Sequence, residues 1–209
     1  MGEKDSKNLM FEDLFPTLLY SKDLKLNLNE LSEYCLKFKQ RHKTSFDASN
    51  AGGWQSPKLG GDDPVIKDII KQTPVLGKLF KEILKAGEEY RKKIHYSQKL
   101  KMSNIWVNVN SYKDWNSQHI HPNAVLAGVY YINVPKNSGT INFKHPSNNV
   151  IEYDWEPHLM EKYTPHNSPA WNVTPKENKL LLFPGWLPHL VTPNFSQEER
   201  ISISFNLRR

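Results

Sequence analysis

The chain has 209 residues, 38% of them hydrophobic and 24% charged, and a formal net charge of +6. That apolar share supports a sizeable core and excludes a wholly disordered chain, and the absence of any apolar run near ~18 residues excludes a transmembrane helix. A single cysteine, Cys35, excludes an internal disulfide and points to a reducing, cytoplasmic setting.

The basic excess sits in the first half: residues 1–101 hold 19 Lys/Arg against 14 Asp/Glu, and residues 102–209 hold 9 against 8. Only 5 of the 28 cations are Arg, and no nucleic-acid motif accompanies Arg91-Lys92-Lys93, Lys99 or Lys101. A solvated helix face is therefore expected there, and no nucleic-acid partner.

The opening, Met1-Gly2-Glu3-Lys4-Asp5-Ser6, has no apolar stretch, so no signal peptide is expected. Its match to an acylation consensus lacks a nearby basic patch, and the sequons at Asn172 and Asn194 lack anything directing secretion. Leu14 to Tyr20 reads as a strand interrupted by Pro16, suited to a sheet edge. Asn27 with Glu30 forms a candidate capping box, followed by Leu28, Leu31, Tyr34, Cys35 and Phe38 on one helical stripe. Asp63-Pro64 signals a short helix through Ile69 and Ile70. Thr73-Pro74 repeats the signal for a longer one, running to about Ile94 despite Gly87.

Near residue 100 the period drops from helical to two. Residues 102–110, 124–134, 139–143, 179–183, 187–192 and 200–207 are strand candidates separated by Pro, Gly and Asn turns. The fold expected is mainly β with α: a jelly-roll core over 101–209, flanked by the N-terminal helices and one strand of 1–100, in a single domain. Residues 145–178, with Tyr153, Trp155, Tyr163 and Trp171, read as an irregular loop insertion serving as a lid or binding element.

Three histidines could carry chemistry. On an extended strand His119 and His121 project from the same face, within reach of one metal ion. The alternative is two surface histidines beside the turn that Pro122 favours. His189 follows the reversal at Pro184-Gly185 and starts an apolar strand, where a structural histidine is equally at home. In 200–207, Arg200, Ser202, Ser204 and Asn206 alternate with Ile201, Ile203, Phe205 and Leu207. One face can pack under helices, and the other must meet solvent or a wet cavity. Asn104, Trp106, Asn108 and Asn110 share a face in the same way.

These residues resemble an ordered pattern: a His-x-carboxylate pair, a distal His, and Arg-x-Ser about ten residues later, as in iron(II)- and 2-oxoglutarate-dependent dioxygenases. Trp106-Val107-Asn108-Val109-Asn110, His119-Ile120-His121-Pro122, Gly128-Val129-Tyr130-Tyr131-Ile132, Leu182-Phe183-Pro184 with His189, and Arg200 to Asn206 are similar to a bacterial and phage subfamily related to prolyl hydroxylases. Leu14-Phe15-Pro16-Thr17 resembles the opening of that subfamily.

The resemblance implies a double-stranded β-helix with Fe(II) between its sheets, located in the host cytoplasm if phage-encoded. His119 and His189 would be ligands, and Arg200 with Ser202 would grip the far carboxylate of 2-oxoglutarate. Tyr131 would donate to the same group, with Tyr130 turned away. Asn108 is expected on 2-oxoglutarate or substrate, and Asn104, Trp106 and Trp186 are candidate substrate contacts. The chain departs from the pattern at His121, where the norm is Asp or Glu. Either His121 is a third ligand, as in the three-His sites of other dioxygenases, or water takes that position.

The implied activity couples decarboxylation of 2-oxoglutarate, with dioxygen, to hydroxylation of a peptide side chain or small molecule. The competing readings are a jelly-roll binding module without catalysis, a three-His dioxygenase independent of 2-oxoglutarate, and a nucleic-acid demethylase.

Overall fold

The computed structural model describes residues 11–46 and 48–209, so the Met1–Ser6 opening lies outside the described residues. In chain order, β1 (Tyr20–Asp23) and α1 (Leu28–Arg41) precede three two-residue strands, β2 (Asn50–Ala51), β3 (Trp54–Gln55) and β4 (Leu59–Gly60). Helices α2 (Pro64–Gln72) and α3 (Pro74–Lys93) follow, then β5 (Lys101–Asn110), β6 (Trp115–His119), β7 (Leu126–Asn133) and β8 (Ile141–Lys144). Helix α4 (Asn148–Asp154) and a 3-10 turn, Pro157–Leu159, lead to β9 (Ala170–Val173), β10 (Lys179–Pro184), β11 (His189–Val191) and β12 (Arg200–Arg208).

The helix starts follow local chemistry. Asn27 Oδ1 accepts from the Glu30 amide and Asp63 Oδ1 from the Val65 amide, each satisfying a donor the first turn leaves free. Pro64 and Pro74 occupy first helical positions. Thr73 provides no side-chain cap for α3; its amide instead closes α2 on Ile69. In the basic stretch, Arg91 pairs with Glu88 at 2.5 Å and donates to the Tyr96 carbonyl.

The strands form two antiparallel sheets, a jelly roll. One runs β1-β10-β7-β12-β5-β3, with β4 also on β5; the other runs β2-β6-β11-β8-β9. Strand β12 is the hub, paired with β5 on one side and β7 on the other. Its alternation divides the interior. Ile201, Ile203, Phe205 and Leu207 join Val107 and Val109 in a core closed by Leu31, Cys35, Leu79 and Ile83 of the helices. Gly87 lets α3 come close: a Cβ there would stand 2.5 Å from Leu207 Cδ1. A second cluster, with Val129, Tyr131, Phe143, Leu181 and Phe183, fills part of the space between the sheets.

Two expectations are corrected. The first strand is Tyr20–Asp23, not Leu14–Tyr20. Pro16 lies ahead of it, and the four residues pair with β10 at the sheet edge. The 145–178 segment is not irregular throughout: it contains α4, the 3-10 turn and β9, whose Trp171 pairs with Phe143 of β8. A four-residue strand bounded by Pro169 and Pro175 is too short for a period to show. Asn194 is fully buried, donates to the carbonyls of Asn110 and Glu198 and accepts from Ser196, so its sequon is a structural loop lock.

Gly128 marks a tight approach within the large sheet. A Cβ there would lie 2.6 Å from the Leu181 carbonyl and 2.3 Å from Phe205 Cζ. Backbone cannot yield as a flexible side chain can, so Gly128→Ala is expected to cost about 1–3 kcal/mol. Chemical denaturation should show this as a lower midpoint with an unchanged slope.

Candidate metal centre

The site is assembled from the inner face of the smaller sheet and the polar face of the larger one. His119 closes β6 and His189 opens β11, and these two residues are direct cross-strand partners. His121 lies just past β6, where its amide bonds to the Gly185 carbonyl and the Ala124 amide turns back onto its own carbonyl. The turn that Pro122 signals is therefore present, and it tucks His121 inward.

One donor atom from each of His119, His121 and His189 lies within 4.8 Å of the others. Nε2 of His121 and Nε2 of His189 are 3.3 Å apart. Two imidazoles bound to one ion at about 2.1 Å, at angles between octahedral and tetrahedral, would be roughly 3.0–3.4 Å apart. The opposite ring nitrogens are also set. Nδ1 of His119 donates to the Ser117 carbonyl at 2.7 Å and Nδ1 of His189 to the Leu187 carbonyl at 2.9 Å. Those bonds select the tautomer that leaves Nε2 with a free lone pair.

Aromatic rings hold the imidazoles. Trp106 stacks on His121 with centroids 5.8 Å apart, and Phe183 meets His189 edge-on at 4.7 Å. Burial, the largest influence, lowers the pKa of all three histidines, with their mutual repulsion adding to it for His121 and His189. His121 falls to about 4 and His189 to about 3. All three are neutral at pH 7, the state in which imidazole binds a metal. The residues present therefore fit a borderline divalent ion such as Fe(II).

At the other end of the polar face lies Arg200, 2% exposed. Its guanidinium donates to the Ser138 carbonyl, and among the described residues no carboxylate pairs with it. Burial depresses its pKa, and it is countered by the fields of Tyr131 and Asp114. Ser202 pairs with Tyr131 on one neighbouring strand and Asn108 on the other, so all four side chains cluster. Burial pushes the Tyr131 hydroxyl up to about 12, keeping it a donor. A buried cation flanked by a phenol and a hydroxyl is a receptor for a carboxylate.

The histidines and the Arg200 cluster line one cavity of about 510 Å³. Asn104, Trp106 and Asn108 line it too, although the Asn108 amide is engaged with Ser204 Oγ at 2.9 Å. Trp186 does not: it is 53% exposed on the turn before His189 and is not among the lining residues. Tyr130 faces the helices, its hydroxyl donating to Asn178. Asp114 is not in the histidine cluster; its carboxylate accepts from the Ser111 amide.

The sequence reading missed Gln55, Lys58 and Asn116, which also line the cavity. They lie on two-residue strands, a connecting loop and a polar strand, where no period marks a buried face. Asn206 was legible as part of the polar face but not as a neighbour of His121, whose pKa it raises slightly against the effect of burial.

Among curated protein sequences none matches significantly. The family model described as "Putative 2OG-Fe(II) oxygenase" matches residues 104–206, the span that carries the histidines and Arg200. A prolyl-4-hydroxylase from Pseudomonas putida superposes with a TM-score of 0.60 at 12% identity, covering 91% of this chain and 92% of that one. The Trichoplax adhaerens prolyl hydroxylase, solved with a hypoxia-inducible-factor peptide fragment, gives 0.57 at 16%, covering 91% and 83%. HygX from Streptomyces hygroscopicus, solved with nickel and 2-oxoglutarate, gives 0.53 at 11%, covering 92% and 83%. The convergent imidazoles and the buried guanidinium thus lie within the 104–206 span that is similar to the iron(II)- and 2-oxoglutarate-dependent oxygenases, and the chain shares the fold of those solved structures.

Proposed function

We propose that the chain hydroxylates a side chain or small molecule, acting as one catalytic domain with His119, His121 and His189 as the iron ligands. Arg200 anchors the far carboxylate of 2-oxoglutarate, with Ser202 and Tyr131 donating beside it. The observation that carries this reading is a buried Arg200, without a carboxylate partner among the described residues, in the same cavity as three neutral imidazoles. A non-catalytic binding module has no use for that pairing, and a dioxygenase that dispenses with 2-oxoglutarate has no use for Arg200.

When bound, iron and 2-oxoglutarate supply the oxidising power: 2-oxoglutarate and dioxygen give succinate and carbon dioxide, and one oxygen atom enters a substrate C–H bond as hydroxyl. The protein's own work is positioning. The Ser117 and Leu187 carbonyls orient His119 and His189, while Trp106 restricts the His121 ring and Phe183 the His189 ring, and both exclude water. Asn206 Oδ1 is buried without a hydrogen-bond partner, and we assign it to orienting His121. Asn108 and Asn104 are assigned to the cavity wall, Asn108 toward 2-oxoglutarate and Asn104 with Trp106 toward substrate. The Trichoplax prolyl hydroxylase bound to its peptide supports a peptide side chain as one form of substrate.

The test is anaerobic titration of the Fe(II) protein with 2-oxoglutarate, expected to develop the visible charge-transfer band of a chelated α-keto acid. Succinate release under air should follow. Arg200→Ala is expected to weaken 2-oxoglutarate binding by about 2–5 kcal/mol, since the buried carboxylate loses its charged partner. An unchanged concentration dependence would remove Arg200 from the site.

His121→Ala and His189→Ala are each expected to lose stoichiometric metal by equilibrium dialysis. Full metal content in His121→Ala would mean that water serves at that position. Asn206→Ala should weaken metal binding about 10–100-fold, the usual cost of losing a partner that orients a ligand.

Stability of the metal-free protein should depend on pH. The folded pKa values of His121 and His189 lie below the ordinary 6.5, so the unfolded chain takes up protons first as pH falls. Their contribution is therefore fully present above pH 6.5 and is lost on the way down to about pH 3. The melting temperature should fall across that window, and less steeply in a variant with both histidines replaced.

A further inference from the structure

The cavity has a second cationic feature, at the end away from Arg200. Lys58 lies on the loop between β3 and β4 and lines the cavity rim. Its ammonium is exposed yet placed, 5.1 Å from the centroid of Trp106 and 5.6 Å from that of Phe46. Trp106 in turn stacks on His121, so the order across this wall is ammonium, indole, imidazole. Among the described residues Lys58 forms no ion pair.

Two further observations bear on what meets this ammonium. The lining residues include no Asp or Glu, so nothing on the described wall offsets Lys58, Arg200 or a bound dication. With His121 in place of a carboxylate, a bound divalent ion also keeps one more positive charge. In addition, Gln55 Nε2, on the same segment as Lys58, is buried without a hydrogen-bond partner in a residue 3% exposed. Beside Lys58 the wall thus offers a free donor, while the free acceptor of the lining, Asn206 Oδ1, is the one assigned to His121.

Bound 2-oxoglutarate cannot account for both cations. Ser204 is the ladder partner of Trp106 and lies four residues along β12 from Arg200. At about 3.4 Å per residue that is roughly 14 Å. A five-carbon diacid spans about 7 Å, from bond lengths near 1.5 Å. Measured along the strand, a diacid anchored beside Arg200 covers about half of the distance to the Trp106 position.

We propose that the substrate carries an anionic oxygen group, carboxylate or phosphate, which Lys58 binds at the Trp106 rim opposite Arg200. The inference rests on the reading of Arg200 as the 2-oxoglutarate anchor. Lys58 is then a specificity residue: Phe46 and Trp106 hold its stem and ammonium in place, and its charge disfavours cationic molecules.

The test uses the full chain saturated with Mn(II) and 2-oxoglutarate, which cannot turn over, and isothermal titration calorimetry. The probes are matched pairs: N-acetyl amino acids with their primary amides, and alkyl phosphates with the parent alcohols. The anionic member should bind at least about tenfold more tightly in one set, which identifies carboxylate or phosphate as the group. Lys58→Met, which keeps the apolar stem, should erase the difference, and Lys58→Arg should retain it. Equal binding within both sets, no binding by any anionic member, or a preference that persists in Lys58→Met would each overturn the proposal. Failure of the wild-type protein to take up 2-oxoglutarate in the first step would instead overturn the parent reading, and this one with it.

Discussion

Strand β12 is paired on both sides and alternates strictly, so its register is fixed by two ladders at once. Slipping by one residue would turn Ile201, Ile203, Phe205 and Leu207 into the cavity and bury Arg200, Ser202 and Ser204 under the helices. Exposing the four apolar side chains alone would cost about 6–12 kcal/mol, comparable to a domain's whole margin of stability. This constraint places Arg200 at one end of the polar face and Asn206 at the other. It also aligns β5 and β7, which bring Asn108, Trp106 and Tyr131 to the same cavity.

Against that fixed floor the smaller sheet supplies the imidazoles. Its strands are short and polar, and they contribute little core of their own. Their position derives from ladder contacts: His119 opposite His189, and His189 opposite Phe143. Three dehydrated imidazoles facing one another, with no anion between them, are unfavourable when protonated and useful only when neutral. The fold maintains them by burial and by the two carbonyls that claim the other ring nitrogen. The arrangement makes sense as a prepaid cost of metal binding, in which the structure accepts depressed basicity so that the lone pairs converge.

The same electrostatics distinguish this centre from one with a carboxylate ligand. A neutral triad leaves a divalent ion fully charged, and a wall of amides with Lys58 and Arg200 adds to the positive field. Such a cavity is electrostatically suited to anions, which is the property that both the proposed Arg200 anchor and the proposed Lys58 contact draw on.

The amino-acid sequence by itself determined the pieces that depend on local chemistry or strict alternation. The starts at Asn27, Asp63 and Pro64, the faces of β5 and β12, and the opposition of Tyr130 and Tyr131 all follow from one-residue or two-residue rules, whereas which tyrosine faces inward came from the resemblance. Arg200-x-Ser202 was legible because the pair sits on a single extended strand, and the histidine spacing because His121 lies only two residues beyond the strand end at His119. Tertiary structure alone decided the rest. Lys58 and Gln55 reach the cavity from an edge segment with no period of its own, and Trp186 points to solvent although its neighbour His189 points in. His121 faces His189 only because the turn at Pro122 is pinned to Gly185, a residue more than sixty positions away. Side-chain direction within a strand is a property of the backbone repeat, whereas proximity between strands and loops is set by how the two sheets close, and no local pattern encodes that closure.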